Sequence, residues 1–139
     1  MKVGFRAVAF VCCSIPLAHA ETIGHLKALC TTTPNVCDAY LIGIHDGYNR
    51  SAIDQSTKNL SARGDSAAHP GYSLRLNAEI DRISGYCEPE GGTNTLNYAA
   101  LTSMKMPGTI KSKDEDATAW VIRQWQETYG QPHCVNAAH

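Results

Sequence analysis

Four cysteines constrain this chain more than any other feature, because an export signal precedes them. Lys2 and Arg6 make a positive start, residues 7–17 form an apolar run, and Ala18-His19-Ala20 is a small-x-small cleavage pattern. That is the layout of a cleaved secretory signal peptide over residues 1–20, too short in its apolar run to span a bilayer. The mature chain is expected to cover residues 21–139. It loses Cys12 and Cys13 and keeps Cys30, Cys37, Cys87 and Cys134. In an oxidising compartment four cysteines in a small domain form two disulfides. The spacings of 7, 50 and 47 residues lack the paired C-x-x-C pattern of a zinc site, and no metal or other cofactor is expected. Three pairings are open. Each bridge contributes roughly 2–4 kcal/mol by restricting the unfolded chain.

The remaining 119 residues suit one domain. Removing Lys2 and Arg6 leaves ten basic side chains against thirteen acidic ones, a net charge of -3. An acidic balance gives no drive toward phosphate backbones, which argues against nucleic acid. No second apolar stretch approaches membrane length. The expectation is an exported, periplasmic product without membrane insertion.

Helical periodicity dominates the rest. A first helix is predicted over residues 22–29, with Ile23, Leu26 and Leu29 on one side. Thr33 caps a second helix with Pro34 at its first position, where a missing N–H costs nothing. Cys37, Tyr40, Leu41, Ile44 and Tyr48 give it an apolar stripe, and Gly43 and Gly47 beside the stripe would admit a close helix crossing or a dimer contact. The stripe fades after Ile53, and beyond about Leu60 an irregular connection is predicted. Residues 73–84 suit a short helix or an extended segment. Thr93 is expected to cap a helix stopped at Pro107-Gly108. Ser112 and Glu115 fit a capping box opening a last helix through Ala117, Val121 and Trp125. The fold class is all-α: a small bundle of four to five helices stapled by two disulfides.

Chemistry-bearing residues are sparse. His45-Asp46, with His25 before it, is the first candidate, but adjacent helical positions lie about 100° apart and cannot face one target. No i, i+4 ligand pair or nucleophile elbow exists, so no catalytic residue is assigned and the chain is read as a non-enzyme. Glu88 and Glu90 share a turn with Pro89 and two glycines. Trp120 and Trp125, five apart, face different directions; Trp125 joins the core stripe, and Trp120 is either an exposed binding anchor or half-buried packing. Loops of about a dozen residues are often functional, which singles out residues 59–71.

Several of these segments, taken in order, resemble the Rap/Tai immunity proteins of type VI secretion systems. The resemblance rests on the leucine-rich first helix ending at Cys30 and on Cys37-Asp38-Ala39-Tyr40-Leu41-Ile42-Gly43-Ile44-His45-Asp46. It continues through Tyr86-Cys87-Glu88-Pro89, a helix stopped at Pro107, and the closing helix from Ala117 to Pro132-His133-Cys134. It implies a small helical periplasmic protein, typically a homodimer, that occupies the cleft of a peptidoglycan amidase effector. The contact surface is then expected in the 59–71 loop, through Arg63, Asp65 and His69, with the 88–93 turn carrying Glu88 and Glu90 as second choice. The competing expectation is a small acid-stress chaperone of the HdeA kind, which would open as carboxylates protonate. The pairing preferred among the three is Cys30 with Cys37 and Cys87 with Cys134.

Overall fold

The computed structural model describes residues 21–130, and every regular element in them is a helix. The segment expected to be a signal peptide, residues 1–20, and Cys134 lie outside the described residues.

Helix α1 (Ile23–Thr32) opens on Thr22, whose hydroxyl accepts from the His25 N–H at 3.3 Å. Its first N–H groups, which no helical turn can satisfy, are taken by a distant segment. Ile23 donates to the Glu115 carbonyl at 2.8 Å and Gly24 to that of Lys113 at 3.0 Å, while Ala117 donates back to Glu21 at 2.7 Å. A Cβ on Gly24 would stand 3.0 Å from the Lys113 backbone oxygen, so a larger residue would have to push the strap back by a few tenths of an ångström. The 112–116 strap corrects one expectation. Ser112 does not cap the last helix; its hydroxyl accepts from Asp114, and the helix begins four residues later behind Asp116, whose carboxylate accepts from Ala119 at 2.7 Å. The carbonyls of Lys113 and Glu115, which a helix opened at Ser112 would turn onto its own N–H groups, accept from α1 instead.

Helix α2 (Pro34–Ala62) starts where the sequence suggests, with Pro34 in its first turn and a Cys30–Cys37 disulfide closing the α1–α2 corner. Thr33, however, caps nothing with its side chain, whose hydroxyl donates to the Leu29 carbonyl at 3.2 Å instead. The helix runs for 29 residues, well past the point where its stripe fades. Beyond Tyr48 the buried positions are Ala52, Ser56 and Leu60, four apart, but only Leu60 is large and apolar, so the period is present with a weak hydrophobic signal. Those small residues seat α3 (Tyr72–Ser84), which is helical, not extended, and runs antiparallel along the second half of α2.

A turn through Pro89 leads into α4 (Gly92–Lys105). Its cap is Gly91 at φ +91°, a left-handed position that glycine tolerates. Thr93, the expected cap, lies inside the first turn and reaches His45 instead, at 3.3 Å. Helix α5 (Ala117–Tyr129) packs against both α1 and α4. That double contact buries two faces of α5, which corrects the reading of Trp120 as an exposed anchor. Trp120 and Trp125 are both fully buried, donating to the carbonyls of Thr109 at 3.3 Å and Leu96 at 2.9 Å. Ile23, Leu26, Leu41, Leu96 and Val121 complete the centre of the core. The α3 C-terminus is clasped to α2 and α5: the Ser84 carbonyl accepts from the Tyr48 hydroxyl at 3.0 Å and from Gln126 at 2.8 Å. Among the described residues no helix is long and apolar enough to cross a membrane.

Candidate functional site

Of the five residues singled out for partner contact, the fold brings three together. Arg63, Asp65 and His69 meet at the α2–α3 turn, where Arg75 joins them around a concavity of about 380 Å³. Glu88 and Glu90 lie elsewhere, in the α3–α4 turn. Glu88 sits 3.9 Å from His45, which is eighteen residues, or about 27 Å of helix, before Arg63. The two loops therefore form separate surfaces.

The 59–71 segment is less loop than its composition suggests. Its first turn belongs to α2, and the rest is held by charge-assisted hydrogen bonds. Arg75 grips Asp65 with two nitrogens, Nε to Oδ2 at 2.5 Å and Nη2 to Oδ1 at 3.0 Å. His69 Nδ1 lies 3.1 Å from Asp65 Oδ1, and the Ser66 N–H donates to the same oxygen at 2.9 Å. The Arg75 fork, then His69 and Ser66, hold the Asp65 carboxyl far below the usual carboxylate range. An Arg-Gly-Asp triplet stands at residues 63–65, but its carboxylate is turned inward.

A second hub secures the turn to the helices. Glu79 on α3 accepts from Arg82 at 2.6 and 3.0 Å, from Asn59 at 2.9 Å and from Arg63 at 2.8 Å. Arg82, followed by Asn59 and Arg63, lowers its carboxyl to about 2. Burial is unequal between the signs. The Asp65 and Glu79 side chains are 13% and 8% exposed, whereas Arg63 and Arg75 are 59% and 47% exposed. An approaching molecule meets guanidinium before carboxylate. Arg75, Glu79 and Arg82 were not singled out from sequence. Their signal was legible nonetheless, since residues four and three apart share a helix face.

Two other features bear on function. His45 is buried against Trp125, with ring centroids 6.0 Å apart, while neighbouring Asp46 is 73% exposed. The two still touch, His45 Nδ1 lying 3.4 Å from Asp46 Oδ1, although the ring is buried and the carboxylate faces solvent. Among the described residues no cluster of His, Cys, Asp or Glu is arranged to hold a metal ion. Along the seam of α2 and α5 runs an apolar furrow of about 530 Å³, lined by Tyr40, Gly43, Ile44, Gly47, Tyr48 and Ile122 among others. A Cβ on Gly43 or Gly47 would meet nothing within 4 Å, so among the described residues no helix crosses there. The expectation of a close crossing within the chain is corrected for the described residues: Tyr40, Ile44 and Tyr48 of the stripe line the furrow, and the glycines beside them stand open.

No family model, curated protein or solved structure matches the chain.

Proposed function

We propose that the chain is a periplasmic immunity protein that binds a type VI secretion peptidoglycan amidase effector and inhibits it by presenting the α2–α3 turn to the active-site cleft. The observation that carries this reading is the turn's internal bracing. An inhibitory segment that enters a hydrolase cleft must hold one conformation, because ordering a mobile loop on contact subtracts from affinity. Here both carboxylates of the turn are saturated from within, by Arg75 at Asp65 and by Arg63 and Arg82 at Glu79. The turn needs no partner to shape it, and its guanidinium groups remain half-exposed. The ordered resemblance to the Rap/Tai proteins supports the same reading.

Three finer assignments go with it. The second disulfide joins the two remaining cysteines, Cys87 and Cys134. The open α2–α5 seam over Gly43 and Gly47 is the surface assigned to a second copy of the chain. The 88–93 turn, with Glu88 and Glu90, serves as an accessory contact.

Co-purification of oxidised protein 21–139 with the product of the neighbouring gene, followed by a peptidoglycan amidase assay, tests the assignment. A stable complex that silences hydrolysis, and loses this effect when residues 63–69 are replaced by alanine, is expected. Inhibition untouched by those replacements would displace the turn from its role; absence of any complex would displace immunity itself.

A further inference from the structure

The helical hairpin that carries the braced turn has an electrostatic sign opposite to that of the rest of the chain. Between residues 50 and 84 there are five basic and four acidic side chains, a balance of +1. The other residues from 21 onward carry five basic and nine acidic ones, a balance of -4. Burial sharpens the contrast, because the turn's own carboxylates are the sequestered members of each pair.

Donor capacity remains after the internal bonds are made. Arg63 uses Nε on the Asn59 carbonyl and Nη2 on Glu79, and its Nη1 has no partner among the described residues. Arg75 uses Nε and Nη2 on Asp65 and Nη1 on the Pro70 carbonyl, leaving one N–H on each terminal nitrogen. His69 engages its neighbours through Nδ1, so Nε2 is the ring's remaining polar atom. These groups border the 380 Å³ concavity, with buried Leu60 at its base. Gly64, at φ +80°, leaves open space where a side chain would stand. Asp65 also lines the concavity, but its two oxygens are already occupied.

We propose that this concavity receives one carboxylate of the protein partner, an Asp or Glu side chain or a chain terminus, on Arg63, Arg75 and His69. The inference rests on the assignment of the turn as the contact surface and names the chemistry it meets. Guanidinium donors match a carboxylate in geometry and charge. A polyanion fits poorly: its affinity grows with the number of cations along its track, and the net -3 of the chain from residue 21 opposes it. The concavity suits a single side chain.

The test titrates oxidised protein 21–139 with acetyl-Glu-Glu-Glu-amide and its glutamine counterpart, followed by NMR of the arginine Nε–H and histidine ring signals. The glutamate peptide is expected to shift Arg63, Arg75 and His69 saturably, to bind about tenfold more tightly than the glutamine peptide, and to weaken as salt rises. Arg63→Gln should abolish the response, and Arg63→Lys should retain part of it. Equal response to the two peptides, shifts confined to other surfaces, or preference for heparin fragments or anionic vesicles would overturn the carboxylate site. The wild-type titrations decide this even if a variant misfolds. An amidase complex that forms while the glutamate peptide stays silent would overturn the carboxylate site and leave immunity standing. A peptide response without any amidase complex would do the reverse.

Discussion

Ser56 is fully buried on α2, and its hydroxyl has no partner among the described residues. A buried donor left unmade costs about 1–3 kcal/mol, and an alanine leaves little extra space. Ser56→Ala is therefore expected to raise stability by about 1 kcal/mol in urea unfolding; a loss would mean the hydroxyl is satisfied in solution. Glu79 gives the opposite case, a buried acceptor with several donors. Its carboxyl is lowered from 4.5 to about 2, chiefly by Arg82. A depressed carboxyl binds protons more readily in the unfolded chain. Its contribution is thus complete above about 4.5 and lost as pH falls through about 2. The melting temperature of Glu79→Gln should lie below wild type at pH 7, with the gap closing as the pH approaches 2. A gap independent of pH would remove Glu79 from the role of hub. The meeting of Arg63, Asp65 and His69 was legible because they lie within six residues of one another. That Arg63 is paired to Glu79, sixteen residues on, was not, because it depends on how α3 lies against α2.

Helix α2 shows how an element hides from its own sequence. Its first half carries a stripe of large apolar residues, and its second half carries the same period in Ala52, Ser56 and Leu60. Small side chains let α3 come near, so burial arises from close approach and not from hydrophobic mass. Overpacking that contact with Ser56→Leu should cost about 1–3 kcal/mol in the same unfolding experiment. The seam glycines predict differently. Glycine inside a helix costs about 1 kcal/mol relative to alanine, and a Cβ at Gly43 meets nothing within 4 Å. Gly43→Ala should therefore stabilise the isolated fold by about that amount. Gly43→Leu should shift the mass measured by light scattering from dimer to monomer if a second copy occupies the furrow; an unchanged mass would place the dimer contact elsewhere. The start of α5 was misread for a related reason. The Ser112–Glu115 pattern is a sound local cap, but α1 takes the carbonyls of Lys113 and Glu115 and Ala117 donates to Glu21, so the first turn that such a cap would open is tied to another element.

At the scale of the molecule, the Cys30–Cys37 bridge closes a short loop at the α1–α2 corner. The entropic model assigns such a loop about 2.5 kcal/mol. Replacing both cysteines by serine should lower stability by about that amount with helicity intact by circular dichroism; a collapse of helicity would show that the bridge determines the fold beyond closing a corner. The all-α class was legible in the sequence alone, the helix count only as four to five because residues 73–84 read equally as extended, and the Cys30–Cys37 pairing only as the preferred one of three. Each rests on interactions spanning a few residues: periodic burial, proline and glycine breaks, and a seven-residue cysteine spacing. The burial of Trp120, the strap across α1, the open seam over Gly43 and Gly47 and the exposed sign of the α2–α3 turn were decided only in three dimensions. Those features depend on which faces meet across tens of residues. A periodic pattern states that a face is buried but carries no label for its partner, and tertiary packing supplies that label.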